Sequence, residues 1–143
     1  MAPDGVSRQH GDVEKPRIGI ERVYTDPGRR GDYRVLVDRL WPRGVKKESL
    51  DIDEWAKDVA PSSGLRKWYG HDPELFAEFA RRYRLELADD PGAPAVARLG
   101  AVAVESRLTL LTATRDVEHS GALVLRDAIA ALTAPSRRRG RDR

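Results

Sequence analysis

Two apolar runs that each end abruptly in charge constrain the fold of this chain more than any other feature. Val35-Leu36-Val37 is followed at once by Asp38-Arg39-Leu40-Trp41-Pro42-Arg43-Gly44. Leu108-Thr109-Leu110-Leu111-Thr112-Ala113 is followed by Thr114-Arg115-Asp116. A short continuous apolar run bounded by turn residues is the pattern of a strand buried on both faces, as in a parallel sheet. In such sheets ligands bind beyond the strand ends. The two matching ends therefore mark a place for a site without naming a reaction.

The rest of the chain supplies the partners of these strands. Residues 17–24 alternate, with Ile18 and Ile20 on one side and Val23 on the other, as a first strand. Residues 26–32 form a turn-rich loop holding Gly28 and Gly31. It is either a tight crossover between parallel neighbours or a long hairpin between antiparallel ones. Residues 34–40 read as the central strand, and 46–58 as irregular chain with a short strand near Trp55. Ser62 or Ser63 is placed to cap a helix opening at Leu65.

Asp72-Pro73-Glu74 combines a cap, a proline at the first helical position and an acid in the first turn. From it Leu75, Phe76, Phe79, Ala80, Tyr83 and Leu87 recur at helical spacing. Residues 94–106 predict a second helix with Val96, Leu99, Val102 and Ala103 inward. Residues 119–132 predict a last helix with Ala122, Leu125, Ile129 and Leu132 inward. Strands separated by helical patterns argue an α/β three-layer sandwich, a small, mostly parallel sheet flanked by helices.

The 143 residues suit one domain over 17–133, between a disordered extension at 1–16 and a basic tail at 134–143. The chain has no cysteine, which excludes disulfides, thiolate catalysis and cysteine zinc sites. No apolar run approaches the roughly 18 residues of a membrane span, and residues 1–16 lack the apolar core of a signal peptide. A soluble cytoplasmic protein is the expectation. The formal net charge is +3, yet Ser136-Arg137-Arg138-Arg139-Gly140-Arg141-Asp142-Arg143 alone carries five arginines and one aspartate. The body is close to neutral, so the basic balance says little about a nucleic-acid surface on the folded part.

Charges abutting buried strands need either partners or a solvated crevice, because a buried unpaired charge costs several kcal/mol. One outcome is a salt bridge such as Asp38 with Arg115 that merely ties two strands. The other is a pocket in which Arg39, Arg43, Arg66, Lys67 and Arg115 converge on an anion, since guanidinium forks favour phosphate and carboxylate. On that reading Arg39, Trp41, Arg43, Arg66, His71 and Arg115 bind the ligand. Asp38, Asp116 and His119 are then the groups able to move a proton. Trp41 follows the charged pair and is placed to stack on a ligand, whereas Trp55 and Trp68 suit the core. His71, Asp72, Asp116, Glu118 and His119 match no metal-ligand spacing, so no metal is expected.

There is no Walker loop, dinucleotide glycine fingerprint or nucleophile elbow, and no cofactor is expected. The partner this implies is an anionic small molecule. A second class of function, nucleic-acid association or regulation, would use the basic tail with Arg81, Arg82 and Arg84.

Three stretches carry a resemblance. Val37-Asp38-Arg39-Leu40-Trp41-Pro42-Arg43-Gly44, Trp55-Ala56-Lys57-Asp58-Val59-Ala60-Pro61-Ser62 and Leu65-Arg66-Lys67-Trp68-Tyr69-Gly70-His71-Asp72, with Arg115-Asp116-Val117-Glu118-His119 further on, resemble the YeaO-like branch of the domain of unknown function 488. The likeness runs in order over about residues 18–132. It implies a compact bacterial cytoplasmic α/β domain and carries no established activity. Other branches hold a cysteine-containing motif at the last strand and following helix. Thr112 and Ser120 occupy that region here, so thiol chemistry does not transfer.

Overall fold

The computed structural model describes residues 18–26, 28 and 31–133. The expectations for residues 1–16 and for the basic tail lie outside the described residues. Four strands form one sheet: β1 (Ile18–Arg22), β2 (Tyr33–Leu36), β3 (Glu54–Trp55) and β4 (Leu108–Thr112). Their spatial order is β1-β4-β2-β3, and every pairing is parallel. Among the described residues four helices accompany them: α1 (Ser63–Tyr69), α2 (Phe76–Leu87), α3 (Gly92–Glu105) and α4 (Gly121–Thr133). The α/β class follows directly.

The loop after β1 serves neither of the two expected connections. β1 and β2 are parallel but not neighbours, because β4, the last strand in sequence, lies between them. Both inner strands are therefore the apolar runs, as double-sided burial requires. Leu110 faces Val35 across the ladder and Leu111 faces Leu36, all four fully buried. Burying each such side chain contributes roughly 1.5–3 kcal/mol.

Side-chain alternation sorts these residues to two faces. Val35, Val37, Leu108 and Leu110 pack with residues of all four helices, among them Leu65, Phe79, Tyr83, Leu99 and Leu125. Leu36 and Leu111 pack instead with Val23 and Leu50, against which Trp41, Val45, Ile52 and Trp55 lie. The second covering layer is thus irregular chain from the β2–β3 connection rather than helix. Its single 3-10 turn, Lys47–Ser49, contributes no buried residue. The expected short strand near Trp55 is β3.

Helix starts follow local chemistry. Ser62 Oγ accepts from Leu65 N at 3.1 Å and opens α1, which ends at the left-handed Gly70. Asp72 Oδ1 accepts from Glu74 N at 3.0 Å, but the turn it caps, Pro73–Leu75, is 3-10. The α-helix proper begins one turn late, at Phe76, and buries Phe79, Ala80, Tyr83 and Leu87. α3 begins at Gly92, two residues before the expected start. A Cβ there would sit 3.0 Å from the Glu86 carbonyl oxygen, so a side chain at the entry into α3 would press on the backbone at the end of α2. The last helix begins two residues later than expected: Val117–His119 is a separate 3-10 turn, and Ser120 Oγ accepts from Leu123 N at 3.3 Å.

The second face also buries a cation. Arg34, only 1 % exposed, points away from the helical core. Its Nε donates to the Asp51 carbonyl at 2.5 Å and its Nη1 to the Gly28 carbonyl at 3.2 Å. The guanidinium pairs with Asp26 and, at 3.4 Å, with Asp32. Asp32 also accepts from Thr109 Oγ1 at 2.6 Å, linking the cluster to β4. One arginine thereby holds the β1–β2 loop and the approach to β3 against the sheet. Removing one member of such a buried set leaves the opposite charges uncompensated. Arg34→Ala is expected to cost about 3–5 kcal/mol of unfolding free energy in urea titration, and a loss under about 1 kcal/mol would contradict this assignment.

Candidate functional site

β2 stops at Leu36 although the apolar run continues. Val37 N still donates to the Leu111 carbonyl at 3.0 Å, and the chain then leaves the sheet. The Asp38 carboxylate turns onto the end of β4, where Oδ1 accepts from Thr112 Oγ1 and Oδ2 from Ala113 N, each at 2.7 Å. Its carbonyl accepts from Trp55 Nε1 at 2.8 Å, so the same residue fastens β3 as well. Thr112 Oγ1 in turn accepts from Thr114 N at 3.1 Å. Asp38 is thus a clamp across three strand ends, and the alternative of an Asp38–Arg115 salt bridge is not realised.

The chain leaves β2 towards the second face and β3, whereas beyond β4 it enters α4, which packs against β1. Divergence of this kind opens a crevice at the carboxyl ends of the strands. A cleft of about 500 Å³ lies there. It is lined by Asp38, Arg39, Leu40, Trp41 and Arg43 from beyond β2, and by Arg66, Lys67, Tyr69 and His71 from α1 and its end. Ala113, Thr114 and His119–Ala122 line it from beyond β4, with Tyr24 from beyond β1. The volume is in the range of small-molecule sites.

Each wall is held in place. Arg39 Nε donates to the Pro61 carbonyl at 3.0 Å, and Nη2 reaches the Ala60 carbonyl at 3.5 Å. Those two of its five donors fix the guanidinium and leave three. The Ala60–Pro61 loop is itself pinned by Glu86, which accepts from Ser62 N at 2.8 Å and Ser62 Oγ at 2.6 Å. Tyr69 stacks on Phe79 with centroids 4.2 Å apart, and its hydroxyl donates to the His119 carbonyl at 2.5 Å. His119 lies edge-on to Phe76 and its Nδ1 is 2.8 Å from Asp116 Oδ2. Asp116 orients that ring from outside the cleft, leaving Nε2 as the free nitrogen. Trp41 packs edge-on to Trp55 at 5.2 Å and donates to the Val45 carbonyl at 2.6 Å. His71 is the one described non-glycine residue with positive φ, at 58°. Such backbone is sparsely populated for residues with a Cβ and clusters at functional sites.

Of the residues expected from sequence, Asp38, Arg39, Trp41, Arg43, Arg66, His71 and His119 line this cleft. Asp116 reaches it only through His119. Arg115 is exposed and does not line it. It stands where the chain turns outward between β4 and the 3-10 turn, so proximity in sequence to a strand end did not translate into a side chain at the cleft. Tyr24 was not anticipated. It follows the first strand as Asp38 follows the second, and the same strand-end argument applied to β1 would have found it. Its hydroxyl donates to the Arg43 carbonyl at 2.8 Å.

The electrostatics are one-sided. Four full cations, Arg39, Arg43, Arg66 and Lys67, share the cleft with a single carboxylate, Asp38. Among the described residues none of the four has an ion-pair partner. Burial pushes the Asp38 carboxyl up from its ordinary value, against the donors from Ala113 and Thr112 and the positive charge of Arg66 and His71. No group of three or more histidines and carboxylates suited to a metal occurs among the described residues. No helix among them is long and apolar enough to cross a membrane.

Asp38→Ala leaves two inward-facing donors without an acceptor and is expected to lose about 2–3 kcal/mol of stability. The pH dependence has a definite sign. A carboxyl with a raised folded-state pKa contributes stability that is complete below its ordinary value near 3.8 and is lost as pH rises through the folded value. The stability of the native protein relative to Asp38→Asn is therefore expected to fall over that rise. Urea titrations at stepped pH check this, and a difference that is flat or grows with pH would contradict it.

The DUF488-N3i family, described as the inactive DUF488-N3 subclade, matches residues 17–142. The uncharacterized protein Rv3073c of Mycobacterium tuberculosis H37Rv is 47% identical over 113 residues, 79% of this chain and 93% of that protein. The uncharacterized protein YeaO of Escherichia coli K12 is 42% identical over 116 residues, 80% of this chain and 98% of YeaO. No solved structure matches the chain. On the extent of these matches, the chain belongs to the YeaO-like DUF488 family, within the subclade described as inactive DUF488-N3.

Proposed function

We propose that this protein binds a phosphate- or carboxylate-bearing small molecule in the cleft at the strand ends. The observation that carries the reading is the unbalanced charge: four cations without ion-pair partners among the described residues face one carboxylate that already accepts two hydrogen bonds. Unpaired cations beside a low-dielectric wall attract an anion strongly, and a guanidinium pre-set by backbone carbonyls loses little entropy on binding it. Arg39 and Arg66 are the principal ligands, with Arg43, Lys67 and His71 around them. The α4 amino terminus at Gly121 and Ala122 adds a favourable dipole from the opposite side.

Binding without turnover fits this site better than catalysis. The cleft presents no activated nucleophile: Ser120 Oγ donates to the Val117 carbonyl at 2.7 Å and accepts from Leu123 N, so it serves the helix cap. The family's description as inactive points the same way. The Asp116–His119 contact supports one second reading, in which His119 Nε2 moves a proton on the bound molecule. A nucleic-acid role gains nothing from α2, where Glu78 takes up Arg81 at 2.8 Å and Arg82 at 2.7 Å and is held down at about 2.

Calorimetric titration with inorganic phosphate and pyrophosphate tests the proposal. Arg39→Ala and Arg66→Ala are each expected to weaken binding about tenfold or more, and Arg66→Ala, which removes no side-chain hydrogen bond of the described residues, to melt near the native temperature. Arg115→Ala, outside the cleft, is expected to leave affinity unchanged. Native affinity retained by both cleft variants would refute the assignment.

A further inference from the structure

The cleft is built for more than an inorganic anion. We infer that its ligand is an aromatic phosphate ester, a molecule with a charged end for the arginines and a flat apolar end for the mouth. The inference rests on the anion-binding reading above and specifies its ligand class.

The argument begins with the side chains that folding leaves in water. Among the described residues six large apolar side chains are exposed, and two of them stand on this cleft: Leu40, 61 % exposed, and Tyr24, 48 % exposed. Single exposed apolar residues need no explanation, but two on one rim beside a cationic floor form a local amphipathic surface. Neither is there by default. Leu40 sits between Arg39 and Trp41 on a segment otherwise tied down by the Arg39 and Trp41 hydrogen bonds. Tyr24 is tied to that same segment through the Arg43 carbonyl.

Trp41, half-buried, also lines the cleft beside Leu40, and its indole adds apolar surface against which a planar group can pack. The cleft volume of about 500 Å³ is of the order that accommodates a whole small organic molecule rather than a lone oxyanion. A phosphate at Arg39 and Arg66 with a flat ring over Leu40 and Tyr24 uses both halves of the lining. Burial of the apolar end would supply affinity that inorganic phosphate lacks.

Calorimetric titrations of the full-length protein with inorganic phosphate, ribose phosphate, phenyl phosphate and adenosine monophosphate separate the contributions. Phenyl phosphate and adenosine monophosphate are expected to bind at least about tenfold more tightly than inorganic phosphate, and ribose phosphate to resemble the inorganic anion. Leu40→Ser is expected to erode the aromatic advantage several-fold while leaving the inorganic phosphate affinity as it was. Equal affinity for all four compounds, or an equal loss for every one of them in the Leu40→Ser protein, would overturn the inference while leaving the anion site standing. Failure of all four to bind would overturn the anion site and this inference together.

Discussion

The parallel pairing of β2 with β4 is the constraint on which the rest of this molecule depends. These strands occupy the two inner positions of the sheet, and being parallel they end at the same rim. An antiparallel arrangement would have sent Asp38-Arg39 and the Thr114 turn to opposite ends. Pairing alone does not open a cleft, since strand ends can be closed by a direct crossover. Here the exits diverge, one to the irregular layer and one to α4, and Asp38 keeps the two ends together while their continuations part.

Charge is handled in two opposite ways on this scaffold. Arg34 is withdrawn from solvent and each part of its guanidinium meets a carbonyl or a carboxylate, so its charge is spent on architecture. Arg39 belongs to the same segment five residues on, yet it meets only two carbonyls and retains unused donors towards a solvated cleft. A buried ion set of the first kind holds a fold together at a high desolvation cost. An arginine of the second kind is held in place yet keeps donors that the framework does not use. Asp38 stands between the two cases: both its oxygens serve the framework, while burial raises its affinity for a proton.

Much of this was readable from the residues. The apolar runs at 35–37 and 108–113 became the inner strands, the Ser62 cap opened α1, and the stripe through Phe79, Tyr83 and Leu87 is core. The strand-end argument placed most of the candidate site, because it uses only where apolar runs stop. What escaped it depends on through-space closure. The burial of Arg34 depends on Asp26, Asp32 and the Asp51 carbonyl converging on it from separate loops, which no local pattern announces. Arg115 looked equivalent to Arg39, but the turn after β4 carries it away from the rim. The layer over the second face was expected as helix; its apolar residues, Trp41, Val45, Leu50 and Ile52, follow no helical period and simply fill the surface above Leu36 and Leu111. Glu86 lies on the polar side of α2 by periodicity, and only the arrival of Ser62 makes it a support of the Arg39 wall.

The central claim is that the rim shared by β2 and β4 takes up an anion. Its most direct test is to follow backbone amide chemical shifts of the full-length protein during titration with pyrophosphate. The account predicts saturable shifts concentrated at residues 38–43, 65–71 and 113–122, three segments far apart in sequence and joined only at this cleft. Shifts confined to the exposed arginines of α2 or to the basic end of the chain, with the strand-end segments unmoved, would contradict it.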